Sequence, residues 1–344
     1  MRHANIPLFI PHEGCPNACV FCNQRTITGQ IEKADRDITP EIENALATLR
    51  NDVTDVEIAF FGGSFTGIDR GVMTRLLDTA YGYVKSGRVA SIRLSTRPDY
   101  IDRAVLDILK ERGVTHIELG IQSMDQRVLD EAGRGHTVSD TENACRLIGE
   151  YGFILGGQMM IGLPGATRGS ERETAKQIVS MGCKEARIYP TVVFEGTELC
   201  RMAKRGVYLP LTVEDAVDRA ADAYEIFVNG GVKVLRVGLQ STEALADETK
   251  VYAGANHPAL GELVEGEYYY RLLAAMIDKI RDACRKNAGS VTVYCHDGEQ
   301  SKVAGQGKRN KERIMRLAAE KDYLIKSFKI IPDTALMPYE ITIG

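Results

Sequence analysis

The sequence predicts an α/β fold, either a βα barrel or a doubly wound sheet, and three observations point that way. Short β-branched runs alternate with longer segments of helical period. The strand candidates are apolar nearly throughout, as in a parallel sheet covered on both faces. The chemically distinctive residues fall just after the first three of these runs, at the carboxyl ends where both architectures place their sites.

In order, the strands are expected at Ile6–Ile10, Val56–Phe61, Ala90–Thr96, Thr115–Ile121, Phe153–Ile161 and Arg187–Phe194, with helical patterns near 40–50, 70–85, 101–112, 139–151 and 168–181. Past residue 205 the pattern changes. A helix near 212–229 precedes a strand at Val232–Val237, then an irregular stretch around Gly254 and Asn256-His257-Pro258 and a helix near 267–286. Residues 290–344 read as strand, basic helix, strand, strand, so a small C-terminal α+β module is expected, with residues 1–240 as the core and 241–344 as the extension.

Composition is that of an ordinary globular protein: 344 residues, 44% hydrophobic and 26% charged. No apolar run approaches the roughly 20 residues that span a bilayer, and the N-terminal Ile6–Ile10 segment is too short for a secretory leader. The expectation is a cytoplasmic protein with no membrane partner. Thiols stay reduced in that compartment, so the eight cysteines suggest metal chemistry before disulfides. The net charge of −4 excludes a chain that coats nucleic acid over its whole surface. Residues 281–330, however, carry twelve Lys and Arg against six Asp and Glu. Within them, Gly305-Gln306-Gly307-Lys308-Arg309 opens a basic helix suited to a phosphate backbone, or to a solvated surface.

Cys15, Cys19 and Cys22 stand at i, i+4 and i+7 in one loop. Thiolates are the usual ligands of iron–sulfur clusters, and three from one loop leave one iron open to a further ligand. Structural zinc is the competing reading, but it takes four ligands and no second cysteine pair of suitable spacing follows. Unligated loop thiols are the plain alternative. Cys145, Cys183, Cys200, Cys284 and Cys295 lack ligand-like spacing and read as core residues. His12 reads as exposed or as a neighbour of the cysteine loop, His136 as structural or catalytic, and His257 with Glu262 as a capped turn or a pocket lining.

Gly14-Cys15-Pro16-Asn17-Ala18-Cys19-Val20-Phe21-Cys22 resembles the hallmark C-x-x-x-C-x-aromatic-C of the radical S-adenosylmethionine (SAM) superfamily, with Phe21 as the aromatic. Phe61-Gly62-Gly63-Ser64-Phe65-Thr66 is similar to that superfamily's glycine pair, which receives the amino group of SAM. Within the superfamily the chain resembles the branch of oxygen-independent coproporphyrinogen oxidase and the catalytic subunit of Elongator. The likeness rests on Ser95-Thr96-Arg97-Pro98-Asp99-Tyr100, Glu118-Leu119-Gly120-Ile121-Gln122-Ser123, Arg134-Gly135-His136-Thr137, Gly162-Leu163-Pro164-Gly165 and Arg187-Ile188-Tyr189-Pro190-Thr191.

The resemblance implies a partial (βα)6 radical SAM barrel with a small C-terminal α+β module. It implies a [4Fe–4S] cluster on Cys15, Cys19 and Cys22, and SAM contacts from Phe21, Gly62, Gly63, Ser64, Ser95, Gln122, Arg134, Gln158 and Thr191. Gln158 and Ser95 stand where the family carries acidic residues, and the first two cysteines are closer together than in Elongator. With about a hundred residues beyond the matched region, no acetyltransferase domain is expected. The implied activity is reductive cleavage of SAM to a 5′-deoxyadenosyl radical, with flavodoxin or ferredoxin as electron donor. The substrate is expected to be RNA, as in tRNA base modification; the alternatives are a small molecule such as a tetrapyrrole, or a non-catalytic metal- or RNA-binding protein.

Overall fold

The computed structural model describes residues 2–10, 15, 19–22, 33–50, 52–239, 247 and 249–344. His12 and the residues between the cysteines at 16–18 lie outside the described set. Seven parallel strands form the main sheet in the order β1-β2-β3-β4-β5-β6-β8. They are β1 Arg2–Ile10, β2 Val53–Gly62, β3 Ser91–Thr96, β4 Val114–Gln122, β5 Ile154–Ile161, β6 Glu185–Pro190 and β8 Lys233–Val237. Each crossover between successive sheet strands carries at least one helix, beginning with Thr39–Thr48, Arg70–Lys85 and Arg103–Glu111. Short polar side chains stop these helices from fraying: Asp69 and Asp102 accept from Val72 and Val105 N–H, and Thr137 and Asp140 form a reciprocal box at the start of Val138–Glu150.

Alternate residues of each strand face the helices and are apolar and buried: Ile58 and Phe60, Ile92 and Leu94, Ile117 and Leu119. The opposite face carries Glu57, Arg93, Glu118, Gln158, Glu185 and Arg187, which departs from the expectation of a sheet that is apolar on both faces. Curvature is the reason. Arg93 on β3 reaches Glu185 on β6 at 2.6 Å although three strand spacings of about 4.8 Å separate them on a flat sheet. The sheet is a partial barrel whose concave side encloses these charges and pairs them. Glu118 is the hub, accepting from Arg93 at 2.9 Å, from Arg187 at 2.6 and 2.9 Å and from the Gln158 amide at 2.9 Å. Glu57 takes Arg93 at 2.7 Å and faces His116 at 3.0 Å, and these partners hold its carboxyl down to about 2 against the opposing effect of burial.

Two expectations are refined. The run Arg187–Phe194 is not one strand: after Pro190 the chain leaves the barrel, and β7 Val192–Phe194 pairs antiparallel with β9 Val251–Gly254. The strand near 232–237 belongs to the main sheet as its seventh member. Beyond it, helices Leu260–Ala275 and Ile277–Lys286 replace a single predicted one. The last strands, β10 Ser290–Cys295, β11 Ser327–Pro332 and β12 Ile341–Ile343, form a separate sheet in the order β11-β10-β12. Helix Arg309–Glu320 connects β10 to β11. The apolar core continues from the barrel into this module through Tyr224, Tyr268 and Tyr339, whose ring centroids lie 5.5 to 6.2 Å apart.

Candidate functional site

The carboxyl ends of the strands converge on the cysteine loop. Val20 N–H donates to Ala132 O at 3.0 Å, and Val20 O accepts from Leu199 N–H at 2.8 Å. Phe21, half-buried, packs against apolar clusters on both sides, one holding Leu199, Cys200 and Tyr208 and the other Val128, Ala132 and Leu163. The loop is thus clamped between the segment after β4 and the helix Glu198–Lys204. Cys22 N–H donates to Cys19 O at 3.0 Å, which keeps that end of the loop tight. None of the three cysteines is in a disulfide. Among the described residues no three His, Cys, Asp or Glu side chains close on a point that would hold a single ion.

Arg134 lies over the second cysteine. One Nη donates to Cys19 Sγ at 3.6 Å and the other to Gly120 O at 2.6 Å, leaving Nε without a partner. Burial pushes the Cys15 thiol up, while Arg134, Arg97 and the backbone N–H of Ser64 pull it down. Gln122 ends β4 at a positive φ of 66°, an uncommon conformation for a residue with a side chain, and its Oε1 is buried without a donor. Arg97, 3% exposed, is gripped by Asp99 at 2.9 and 2.8 Å, with Nη1 left over. His136 is 1% exposed beside the Ile121 backbone, with neither ring nitrogen in good hydrogen-bonding geometry. Burial and the two arginines lower its pKa to about 4, so it is neutral. Five of the seven unpartnered buried side-chain atoms among the described residues belong to these four residues. Native interiors leave few such atoms.

The glycine pair also has a reason within the fold. At Gly62 φ is 109°, and a Cβ would lie 2.5 Å from Ile10 O, so the side chain is excluded by the neighbouring strand itself. Gly63 N–H donates to the same Ile10 O at 2.8 Å. Ser64 Oγ bonds to Thr96 Oγ1 at 2.8 Å and accepts from Arg97 N–H at 3.2 Å, tying the β2 end to the β3 end. Thr191 Oγ1 donates to Ile161 O at 2.7 Å. Ser95 is buried and paired in register with Glu118, and Gln158 is held by Glu118. Gly162-Leu163-Pro164-Gly165 forms the turn after β5, fixed by Tyr208 O–H donating to Gly162 O at 2.7 Å and by Gly162 N–H donating to Glu171 at 2.7 Å.

These ingredients fit a cluster with SAM at its open iron. The Cys19 thiol lies against the Arg134 guanidinium, and buried donors and an acceptor without partners stand at the same strand ends.

Residues 9–178 match the Radical SAM superfamily, and residues 183–270 match the radical SAM C-terminal domain. The chain belongs to the radical SAM superfamily. Members of this superfamily use a [4Fe–4S] cluster and SAM. The chain is 27% identical to the tRNA uridine(34) acetyltransferase of Methanocaldococcus jannaschii over 73% of its own length and 53% of that protein's. It is 26% identical to Elongator complex protein 3 of Saccharomyces cerevisiae over 51% and 35% of the two chains. It therefore spans about half or less of these relatives. The fold matches that of the archaeal Methanocaldococcus infernus Elp3 with an N-terminal deletion, with a TM-score of 0.60 and 24% identity over 80% of this chain and 63% of that one. These likenesses agree with the branch that the sequence motifs indicate.

Sequence reasoning passed over Arg97 as a site residue, although it stands in a quoted motif with Asp99 two positions on. It also missed the helix Glu198–Lys204 that backs the cysteine loop. Cys145, Cys183, Cys200, Cys284 and Cys295 are all buried. His257 Nδ1 accepts from Ala259 N–H at 3.1 Å, which makes this segment a capped turn. Among the described residues no helix is long and apolar enough to cross a membrane.

Proposed function

We propose that Cys15, Cys19 and Cys22 hold the cluster, that the mouth of the partial barrel binds SAM, and that the enzyme acts on RNA, with a tRNA base as the target. The observation that carries the site assignment is the set of orphaned buried polar atoms on Arg97, Gln122, Arg134 and His136, with Arg134 set against Cys19 Sγ at 3.6 Å. When bound, the cluster and SAM supply one-electron cleavage of a carbon–sulfur bond to give a 5′-deoxyadenosyl radical. Arg134 would offer its free N–H to the SAM carboxylate. The open Oε1 of Gln122 would accept from an N–H or O–H of the ligand. Gly62 and Gly63 would hold the loop close, Ser64 and Thr191 would line its approaches, and Ser95, in register with Glu118, and Gln158, held by it, would support the SAM pocket from the layer beneath. Phe21, packed on both sides, would keep water from the cluster. A flavodoxin or ferredoxin would deliver the electron.

RNA as substrate is supported by the tRNA-acting relative and by the C-terminal extension, residues 241–344. There Arg313 is paired with Glu267 and Lys302 with Glu265, but Lys308, Arg309 and Arg316 are exposed. Anaerobically reconstituted protein, reduced and given SAM, is expected to release 5′-deoxyadenosine. Binding of bulk tRNA should fall steeply with salt and weaken in a Lys308→Glu/Arg309→Glu/Arg316→Glu variant. If tRNA does not bind, or binds without salt dependence, the RNA assignment fails and a small-molecule substrate such as a tetrapyrrole takes its place.

A further inference from the structure

Arg97 is the most fully enclosed cation at the mouth. Three features fix its aim. Its backbone N–H is bound by Ser64 Oγ at 3.2 Å. Asp99 takes Nε and Nη2 in a two-point pair. The ring of Tyr100 lies 5.9 Å from the guanidinium carbon. One N–H edge, at Nη1, is left buried without an acceptor. Its electrostatic neighbours include Asp99, Cys19 and Cys15, with Asp140 and His136 also in its field. Arg134 reaches Cys19 Sγ at 3.6 Å, acts electrostatically on Cys15, and also carries an orphaned N–H. A buried donor left without an acceptor costs stability, and a charged guanidinium costs more than a neutral donor. No acceptor among the described residues meets that edge, and the uncharged His136 beside both arginines adds no compensating charge.

We propose that Arg97, locked by Asp99, forms with Arg134 a two-guanidinium clamp on an anionic acceptor of the cluster–SAM assembly, either a cluster sulfur at the Cys15–Cys19 edge or the SAM carboxylate. In the first case Arg97 stabilises the more negative, reduced cluster. In the second it contributes to SAM affinity directly. Asp99 is then a positioning residue, because it fixes the fork and touches neither group.

This inference rests on the cysteine ligation proposed above, and the two fail differently. If the ligation is wrong, Cys19→Ala protein still takes up a full complement of iron. If the Arg97 role is wrong, iron uptake follows the cysteines but the readouts below stay put. The test uses Arg97→Gln, Arg97→Lys and Asp99→Asn in the full chain, reconstituted anaerobically. An EPR-monitored redox titration is made without SAM, and SAM binding is measured by equilibrium dialysis. A midpoint shifted to more negative potential in Arg97→Gln, without SAM, assigns the cluster sulfur. A SAM Kd weakened about tenfold or more with an unmoved midpoint assigns the carboxylate. In either case Arg97→Lys recovers part of the effect because it keeps the charge, and Asp99→Asn shows a smaller change in the same direction. Unchanged midpoint and unchanged Kd in Arg97→Gln overturn the proposal. Should Arg97→Gln fail to take up iron, unchanged values in both Arg97→Lys and Asp99→Asn overturn it equally.

Discussion

The two ends of the barrel's concave side handle buried charge in opposite ways. Deep inside, Glu57, Arg93, Glu118, Glu185 and Arg187 satisfy one another within 2.6 to 2.9 Å, with Gln158 and His116 completing the set. At the mouth, Arg97, Gln122, Arg134 and His136 keep atoms without partners. A closed network holds a shape, and an open one leaves donors and an acceptor unspent. Burial alone does not separate them, since both layers lie in the dry interior. Only the hydrogen-bond accounting separates the closed layer from the open one.

Breaking the closed layer should have the largest effect. Glu118→Ala strands Arg187 and removes one of Arg93's carboxylates, so a loss of about 3–5 kcal/mol is expected in urea unfolding. Next comes pH, which acts on the open layer. His136 has a pKa of about 4 in the fold against an ordinary 6.5. Its contribution is complete above pH 6.5 and is lost as the pH falls toward 4, because the unfolded chain takes a proton that the native imidazole refuses. The decline amounts to about 3 kcal/mol, and His136→Gln should flatten it in denaturation curves measured across that window. Gly62→Ala forces a side chain to a φ of 109° against Ile10 O and should lower stability by about 1–3 kcal/mol. Glu198→Ala is the control: its pairs with Arg201 and Arg205 lie on the surface, and the midpoint of unfolding should stay unchanged within error.

Much of this was legible in the sequence. The strand runs announced themselves because their helix-facing residues are apolar, and the cysteine spacing with Gly62-Gly63 located the mouth. The closed layer was harder to see. Glu57, Arg93, Glu118 and Glu185 are single charges within apolar runs, and only the curl of the sheet shows that they meet. The alternation of Glu118 with Ile117 and Leu119 was the available signal. The split after Pro190 was hidden because Val192–Phe194 is as β-prone as the strand before it; its partner, Val251–Gly254, lies some sixty residues away. Arg97 was visible as a letter in a motif. That Asp99 occupies two of its edges and leaves one open depends on the short helical turn Pro98–Tyr100, which no periodicity reports.

The claim that the mouth is a cluster site depends most directly on three sulfurs. Iron and acid-labile sulfide should be counted in anaerobically reconstituted wild type and in the Cys15→Ala/Cys19→Ala/Cys22→Ala variant, with circular dichroism to confirm that both are folded. About four irons per chain in the wild type and essentially none in the variant is the expected result. A folded variant that still carries four irons, or a wild type that takes zinc in place of iron, contradicts the account.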